Sequence, residues 1–255
     1  MRATIDWNDK LIEIDLAQPH PISIPIKNGD DNPNCYYADP VKFEVIKGYN
    51  FVGSVKLGGV VNHQKLTISP HGNGTHTECY GHITEANAVI ANQLLGYFHI
   101  AQLIDVRPTK IDNDSVITLE SLAVDQIKAG VKALVVRTLP NSINKLSQKY
   151  SGTNPTYFVK DAIRWLVNHG IDHLVTDLPS VDREVDEGRL IAHKTFWQTD
   201  KEPRNRATIT ELAYVPDSLI TGLYLLDLQV LALHMDASPS NPVLYKIENE
   251  SSLKF

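Results

Sequence analysis

Residues 69–83, SPHGNGTHTECYGHI, crowd three histidines, a glutamate and a cysteine among small side chains. Imidazole nitrogens and carboxylate oxygens are the donors that borderline divalent ions such as zinc and manganese accept. The preceding residues 65–68 read as a strand, whose side chains point alternately to opposite faces. A strand continued to residue 78 therefore puts His76 and Glu78 on one face. Gly72 and Gly74 let the backbone bend or approach another group closely. A polar turn with solvated histidines fits the same residues, because ten histidines are spread over the chain. Spacing leaves both readings open.

Two later residues join the candidates. His193 stands in an apolar and aromatic surround at 188–197, and Glu211 lies among apolar neighbours in ATITELAYV. A carboxylate there is costly unless it is paired or bound to a cation. The alternative is that Glu211 opens a helix towards water and His193 is a satisfied core or surface histidine.

The elements that must position these groups change character along the chain. Residues 11–16 alternate apolar and charged, as a half-buried strand does. Residues 27–40 have loop composition and could cover a site or form a surface excursion. Several short β-rich runs between 41 and 68, broken by glycines, suggest an antiparallel, turn-linked sheet. Residues 87–95 read as a short helix and 101–106 as a buried strand.

From there helix and strand alternate. Thr118 is placed to cap a helix with Leu119, Leu122 and Ile127 on one side, closed by Gly130. Residues 133–136 form an apolar strand. Asn154 and Pro155 look like the start of a helix that buries Phe158, Ile163, Leu166 and Val167 and ends at Gly170. Residues 174–178 follow as a strand. Strands first and β/α units second define one mixed α/β (α+β) domain over residues 1–255, with helices packed on a sheet.

Composition narrows the function classes. With 255 residues, 42% hydrophobic and 21% charged, the chain can bury a sizeable core, and its formal charge of −6 disfavours phosphate-dependent nucleic-acid binding. No basic patch stands out, and no apolar run approaches the ~20 residues that cross a bilayer. The two cysteines, Cys35 and Cys79, form no CxxC pair and indicate neither a disulfide framework nor a thiolate zinc site; Cys79 reads as a small buried thiol. The N-terminal stretch carries early acids and no apolar h-region. A cytoplasmic protein with a small-molecule partner, and with neither nucleic acid nor membrane as partner, is the expectation.

Several segments together resemble the cyclase family of metal-dependent hydrolases, which includes bacterial kynurenine formamidases and isatin hydrolases. GTHTECYGH is similar to the second half of that family's H-x-G-T-H-x-D-x-P-x-H motif. IDLAQPHPISI resembles its opening segment, DLPSVDRE its D-T-P-S-[IV]-D stretch and DASPSNPVLY its D-G-S-P turn. His193 and Glu211 fall where the family has a second histidine and an acidic ligand. These blocks keep their order from about residue 14 to residue 246.

The resemblance implies a swivelling β/β/α fold. It also implies a site of His76, Glu78, His193 and Glu211 for one or two divalent ions, zinc or manganese, with His82 as a proton-transfer group. It further implies hydrolysis of an amide, formamide or lactam C–N bond, and a homodimer or higher homo-oligomer. Two departures matter. Gly72 stands where the family has its first histidine, so His71 is expected to ligate only through a bulge that resets the register. Glu78 replaces an aspartate and adds a methylene. They motivate an alternative, a non-catalytic binding member; a cyclase or dehydratase using the same site is a third possibility. Tyr36, Tyr37, Phe196 and Trp197 are candidates for lining a pocket or for packing.

Overall fold

Strands of a parallel sheet covered on both faces read as continuous apolar runs, and ALVVRT at residues 133–138 is buried at every position. The computed structural model describes residues 1–247 and builds a large sheet around that run.

The chain opens with the hairpin β1 (Arg2–Trp7) and β2 (Lys10–Asp15), then the short β3 (His20–Pro21). Next come β4 (Lys42–Val45), β5 (Lys47–Gly48), β6 (Phe51–Val52) and β7 (Gln64–Thr67). They form two nested antiparallel hairpins, β4 with β7 and β5 with β6, as the glycine-broken pattern predicts, but outside the main sheet. A helical turn, α1 (Pro70–Asn73), leads into β8 (His76–Glu78). α2 (Ile90–Gln93), β9 (Phe98–Val106), β10 (Thr109–Ile111), β11 (Asp114–Ile117), β12 (Ala133–Thr138) and β13 (Tyr157–Phe158) follow. The remainder is α3 (Lys160–Asn168), β14 (His173–Thr176), α4 (Ile191–Trp197), β15 (Thr208–Glu211), β16 (Gly222–Asp227), β17 (Ala237–Pro239) and β18 (Val243–Lys246).

Nine strands make the main sheet in the order β17-β8-β15-β14-β12-β9-β16-β18-β3. Its centre, β15, β14, β12 and β9, is parallel, and β8 and β17 add antiparallel strands at one side. One face packs Leu134, Val136, Leu174 and Ile209 against Ala162, Ile163 and Leu166 of α3 and Ala192, Phe196 and Trp197 of α4. The other buries Leu103, Val135, Val175 and Leu226 against Ile22, Leu94 and Val215. This is the mixed α/β architecture expected from the order of elements. Among the described residues no helix is long and apolar enough to cross a membrane.

Four local expectations are revised by the structure. The strand at 65–68 stops at Thr67, because Ser69 and Pro70 start α1 instead. Thr118 caps only a turn: its Oγ1 accepts from Ser121 N at 3.1 Å, but Ala123 adopts φ +47° and leaves a single 3₁₀ turn at Val124–Gln126. Asn154 does not open α3. Its φ is +50° and its amide side chain donates to Asp114 Oδ1 at 2.7 Å, so Phe158 falls in β13 and the helix begins at Lys160, ending before Gly170 as expected. The helix expected over 87–95 shortens to the single turn of α2.

Candidate metal centre

β8 and β15 bring the first three candidates together by register. His76 lies directly opposite Glu211, and Glu78 opposite Ile209. Directly paired residues share a face, and so do residues two apart on one strand, so His76, Glu78 and Glu211 point the same way, towards α4. Thr77 points to the other face, where its hydroxyl meets that of Thr210 at 2.7 Å. Glu211 is therefore a buried strand residue rather than the start of a helix; its Oε1 accepts from Val181 N at 2.9 Å, and its Oε2 is 3.4 Å from His76 Nε2.

His71 reaches the same place by a route other than the expected bulge. Ser69 and Pro70 occupy the N-cap and first positions of α1, where proline's fixed φ and missing N–H suit a helix start, and Asn73 Oδ1 accepts from Ser69 N at 2.9 Å. The turn swings His71 Nδ1 to 3.2 Å from Glu78 Oε2. Gly72 cannot carry the side chain the family has at this position, because a Cβ there would lie 2.3 Å from Ala38 Cβ.

His193, on α4, donates from Nδ1 to Asp182 Oδ2 at 2.7 Å, which turns Nε2 towards Glu78 Oε1 at 3.1 Å. His76 is oriented likewise, with Nδ1 donating to Gly74 O at 3.0 Å and Nε2 facing inwards. Asp236 Oδ2 accepts from both His71 Nε2, at 2.9 Å, and His82 Nδ1, at 3.2 Å. The His71 and His82 rings stack at 4.2 Å, and His82, one third exposed, turns Nε2 to 3.8 Å from Glu78 Oε2. The expected residues His71, His76, Glu78, His82, His193 and Glu211 thus converge.

Asp182 and Asp236 are the two functional candidates that sequence reasoning leaves without a role. Both lie inside the quoted segments DLPSVDRE and DASPSNPVLY; Asp182 meets His193 only 11 residues on, whereas the partners of Asp236 are distant, 165 residues away for His71. Of the aromatic candidates, Phe196 and Trp197 are core residues, and Trp197 Nε1 donates to Ala207 O at 2.9 Å. Cys79 is buried, with its thiol directed at Ala88 O.

The electrostatics favour positive charge. Burial disfavours an ionised Glu78, but the nearby His82, His193 and His71 outweigh it and hold the carboxyl well below its usual range. Burial likewise opposes protonation of His193 and His71, yet Asp182 and Glu78 around the one and Asp236 and Glu78 around the other raise both to about 10. Opposite charges in a buried site stabilise each other's ionised forms.

The donor set fits a divalent cation. His76 Nε2 and Glu78 Oε2 are buried without a hydrogen-bond partner, and each such atom costs about 1–3 kcal/mol unless something satisfies it. One donor atom each from His71, His76 and Glu78 lies within 4.8 Å of the others, and the same holds for Glu78, His82 and His193. Nitrogen and oxygen donors around a shared carboxylate, with other ring nitrogens anchored to acids or carbonyls, form the orienting shell that metal-binding histidines require.

Fold and site together define a chain of cyclase-type architecture with a candidate metal centre. The family model described as "Putative cyclase" matches residues 14–183, and the chain belongs to that cyclase family. Cyclase-like protein 2 of Arabidopsis thaliana is 29% identical over 135 residues, 48% of this chain and 46% of that protein, so the match spans about half the length of the relative. A structure described as a predicted metal-dependent hydrolase from Bacillus stearothermophilus superposes with a TM-score of 0.63 at 20% identity, covering 89% of this chain and 98% of that one. Isatin hydrolase A from Labrenzia aggregata, bound to benzyl benzoate, gives 0.64 at 15% identity over 91% and 94% of the two chains. His193, Glu211 and Asp236 lie beyond the family match, and the fold alone brings them to it.

Proposed function

We propose that this protein is a metal-dependent hydrolase that cleaves the C–N bond of an amide, formamide or lactam in a small, arylformamidase-like substrate. The observation that carries the reading is the convergence of His71, His76, His193 and Glu78, with His76 Nε2 and Glu78 Oε2 buried without a hydrogen bond. His71, His76, Glu78, His193 and Glu211 would hold one or two zinc or manganese ions. When bound, such an ion acidifies water towards neutral pH and polarises a carbonyl oxygen.

The chain's own residues supply the rest. Asp182 and Gly74 O fix which nitrogen of His193 and of His76 faces the centre. Asp236 does so for His71 and His82 at once. With Nδ1 donating to Asp236, His82 keeps Nε2 as the atom that takes a proton and passes it to the departing nitrogen. It is the candidate histidine that combines a place in the cluster with substantial exposure, at 32% of its side chain.

The test is metal analysis of the purified protein together with turnover assays against aryl-formamides, lactams and cyclic imides. Stoichiometric metal with chelator-sensitive hydrolysis is the expected result. Stoichiometric metal with no turnover of any of these would overturn the hydrolase reading in favour of a binding protein.

A further inference from the structure

Residues 42–67 carry an apolar pattern that the rest of this chain leaves uncovered. β4 and β7 pair so that Phe43 lies opposite Leu66 and Val45 opposite Gln64, while Lys42 lies opposite Thr67 and Glu44 opposite Lys65. Directly paired residues share a face, so the ribbon has one mainly apolar side and one charged side, on which Glu44 and Lys65 form an ion pair at 3.4 Å. A sheet with one apolar face is stable when that face is buried against another layer. Here it is not: Gly53 is the only buried residue from 42 to 67, and no residue of the stretch joins an apolar core cluster. The uncovered side chains are large. Tyr49 is fully exposed, Val60 is 89% exposed, and Val55, Leu57, Val61 and Leu66 lie between 48% and 58%.

A two-stranded hairpin is marginally stable by itself in water, and contiguous exposed apolar surface of this extent marks an interaction site. Size and charge select the occupant. The six side chains expose on the order of 500 Å² between them. A two-fold pair of arms therefore supplies on the order of 1,000 Å² before the surfaces they cover are counted, and stable interfaces begin at about that size. The arm also differs in sign from the rest of the molecule. Residues 42–67 hold four lysines and one glutamate, net +3, in a chain of formal charge −6, so the other residues carry −9. Lys42, Lys47 and Lys56 have no carboxylate partner among the described residues. A basic, apolar arm and an acidic body are complementary between copies of this chain, because the arm makes no core contact with its own body.

We infer that residues 42–67 are a dimerisation arm: each copy lays the apolar side of its ribbon on the acidic body of a second copy. The same contact made twice about a two-fold axis closes the pair and leaves no arm uncovered. The lysines steer the encounter, and the apolar side chains supply the buried area. The inference stands independently of the hydrolase reading.

Sedimentation of the full-length protein over a range of micromolar concentrations tests it. The unsubstituted protein should sediment at twice the 28.4 kDa of one chain. Leu57→Asp combined with Val60→Asp should weaken self-association at least ~10-fold, the effect of losing buried contacts at the centre of an interface. Both side chains are exposed within one chain, so the variant should keep the circular dichroism spectrum of the unsubstituted protein. Hydrogen exchange supplies a second measurement that needs no substitution: the amides of residues 42–67 should gain protection as concentration is raised through the association range. A protein that stays monomeric, self-association within two-fold of the original in the double variant, or exchange at 42–67 that ignores concentration would each overturn the inference. A monomer that binds phosphatidylserine vesicles through Leu57 and Val60 would overturn it too, and would assign the arm to a membrane surface.

Discussion

Asp182 Oδ2 lies 2.7 Å from His193 Nδ1, and the same carboxylate accepts the backbone N–H groups of Ala192 and His193 at 2.7 and 3.0 Å. One buried acid therefore anchors the first turn of α4 and fixes which imidazole nitrogen faces Glu78. Acids in this relationship to a metal-binding histidine typically contribute 10- to 100-fold in metal affinity. Asp182→Ala should lower affinity for zinc or manganese by about that factor in a chelator competition, and thermal stability with it. Unchanged affinity would separate Asp182 from any role in metal binding.

His193→Ala and Glu78→Ala remove candidate ligands themselves, so each should lower bound metal in elemental analysis. His82→Ala differs, because His82 sits at the exposed side of the cluster and shares Asp236 with His71. It should retain metal and lose about 10²- to 10⁴-fold in rate, the usual contribution of a positioned general acid. Full metal occupancy in His193→Ala would remove that residue from the ligand set.

The part of this arrangement visible in the sequence is the part that follows a local period. His76 and Glu78 share a face because a strand repeats every two residues, and the apolar run at 133–136 reads as the buried strand that β12 is. The route of His71 was encoded as well, in the Ser69–Pro70 helix start, but the preceding β-rich run competes with that signal and favours a strand with a bulge. Nothing local pairs Asp236 with His71 and His82, or seats Glu211 opposite His76; those relations exist only once β8 is flanked by β15 and β17. Asn154 shows the reverse case, in which a good helix signal yields to a left-handed residue held by a tertiary contact.

Metal should also stabilise the fold. The cluster gathers Glu78, Glu211, Asp182 and Asp236 around His71, His76, His82 and His193, and a cation that binds only the folded chain stabilises it by mass action, about 2.7 kcal/mol at a hundredfold excess over Kd. Thermal melts in excess zinc or manganese should show a higher midpoint than melts in chelator, and Glu78→Ala should shrink the difference. Equal midpoints with and without metal would mean that the cluster does not bind it in the folded state.

A separate pH dependence comes from the far end of the sheet. His173 is buried, its Nδ1 is 2.9 Å from Thr208 Oγ1, and its ring lies against His99 at 3.8 Å. Burial foremost, then the charges of His99, Arg204 and Lys132, push it down to about 3. An unfolded histidine titrates near ~6.5. Between these values the unfolded chain binds a proton that the folded chain does not, so stability falls as pH drops through that window. His173→Asn should flatten the decline of the denaturation midpoint between pH 6.5 and 4, and an unaltered slope would place the acid sensitivity elsewhere.

The exchange of histidine between positions 71 and 72 can be tested directly. Gly72 is seated under the loop at 27–40, where its carbonyl accepts from Cys35 N and a Cβ would meet Ala38 at 2.3 Å. The double substitution His71→Gly with Gly72→His restores the family's spacing but puts a large side chain where a methyl carbon does not fit. It should therefore lose metal affinity and thermal stability together, whereas His71→Gly alone should lose metal affinity and keep the loop in place. Adding Ala38→Gly to the double variant removes the nearest atom and should recover part of the lost stability. Metal affinity restored by the double substitution alone would mean that the loop yields easily, and that the one-residue shift of the histidine has no steric cause.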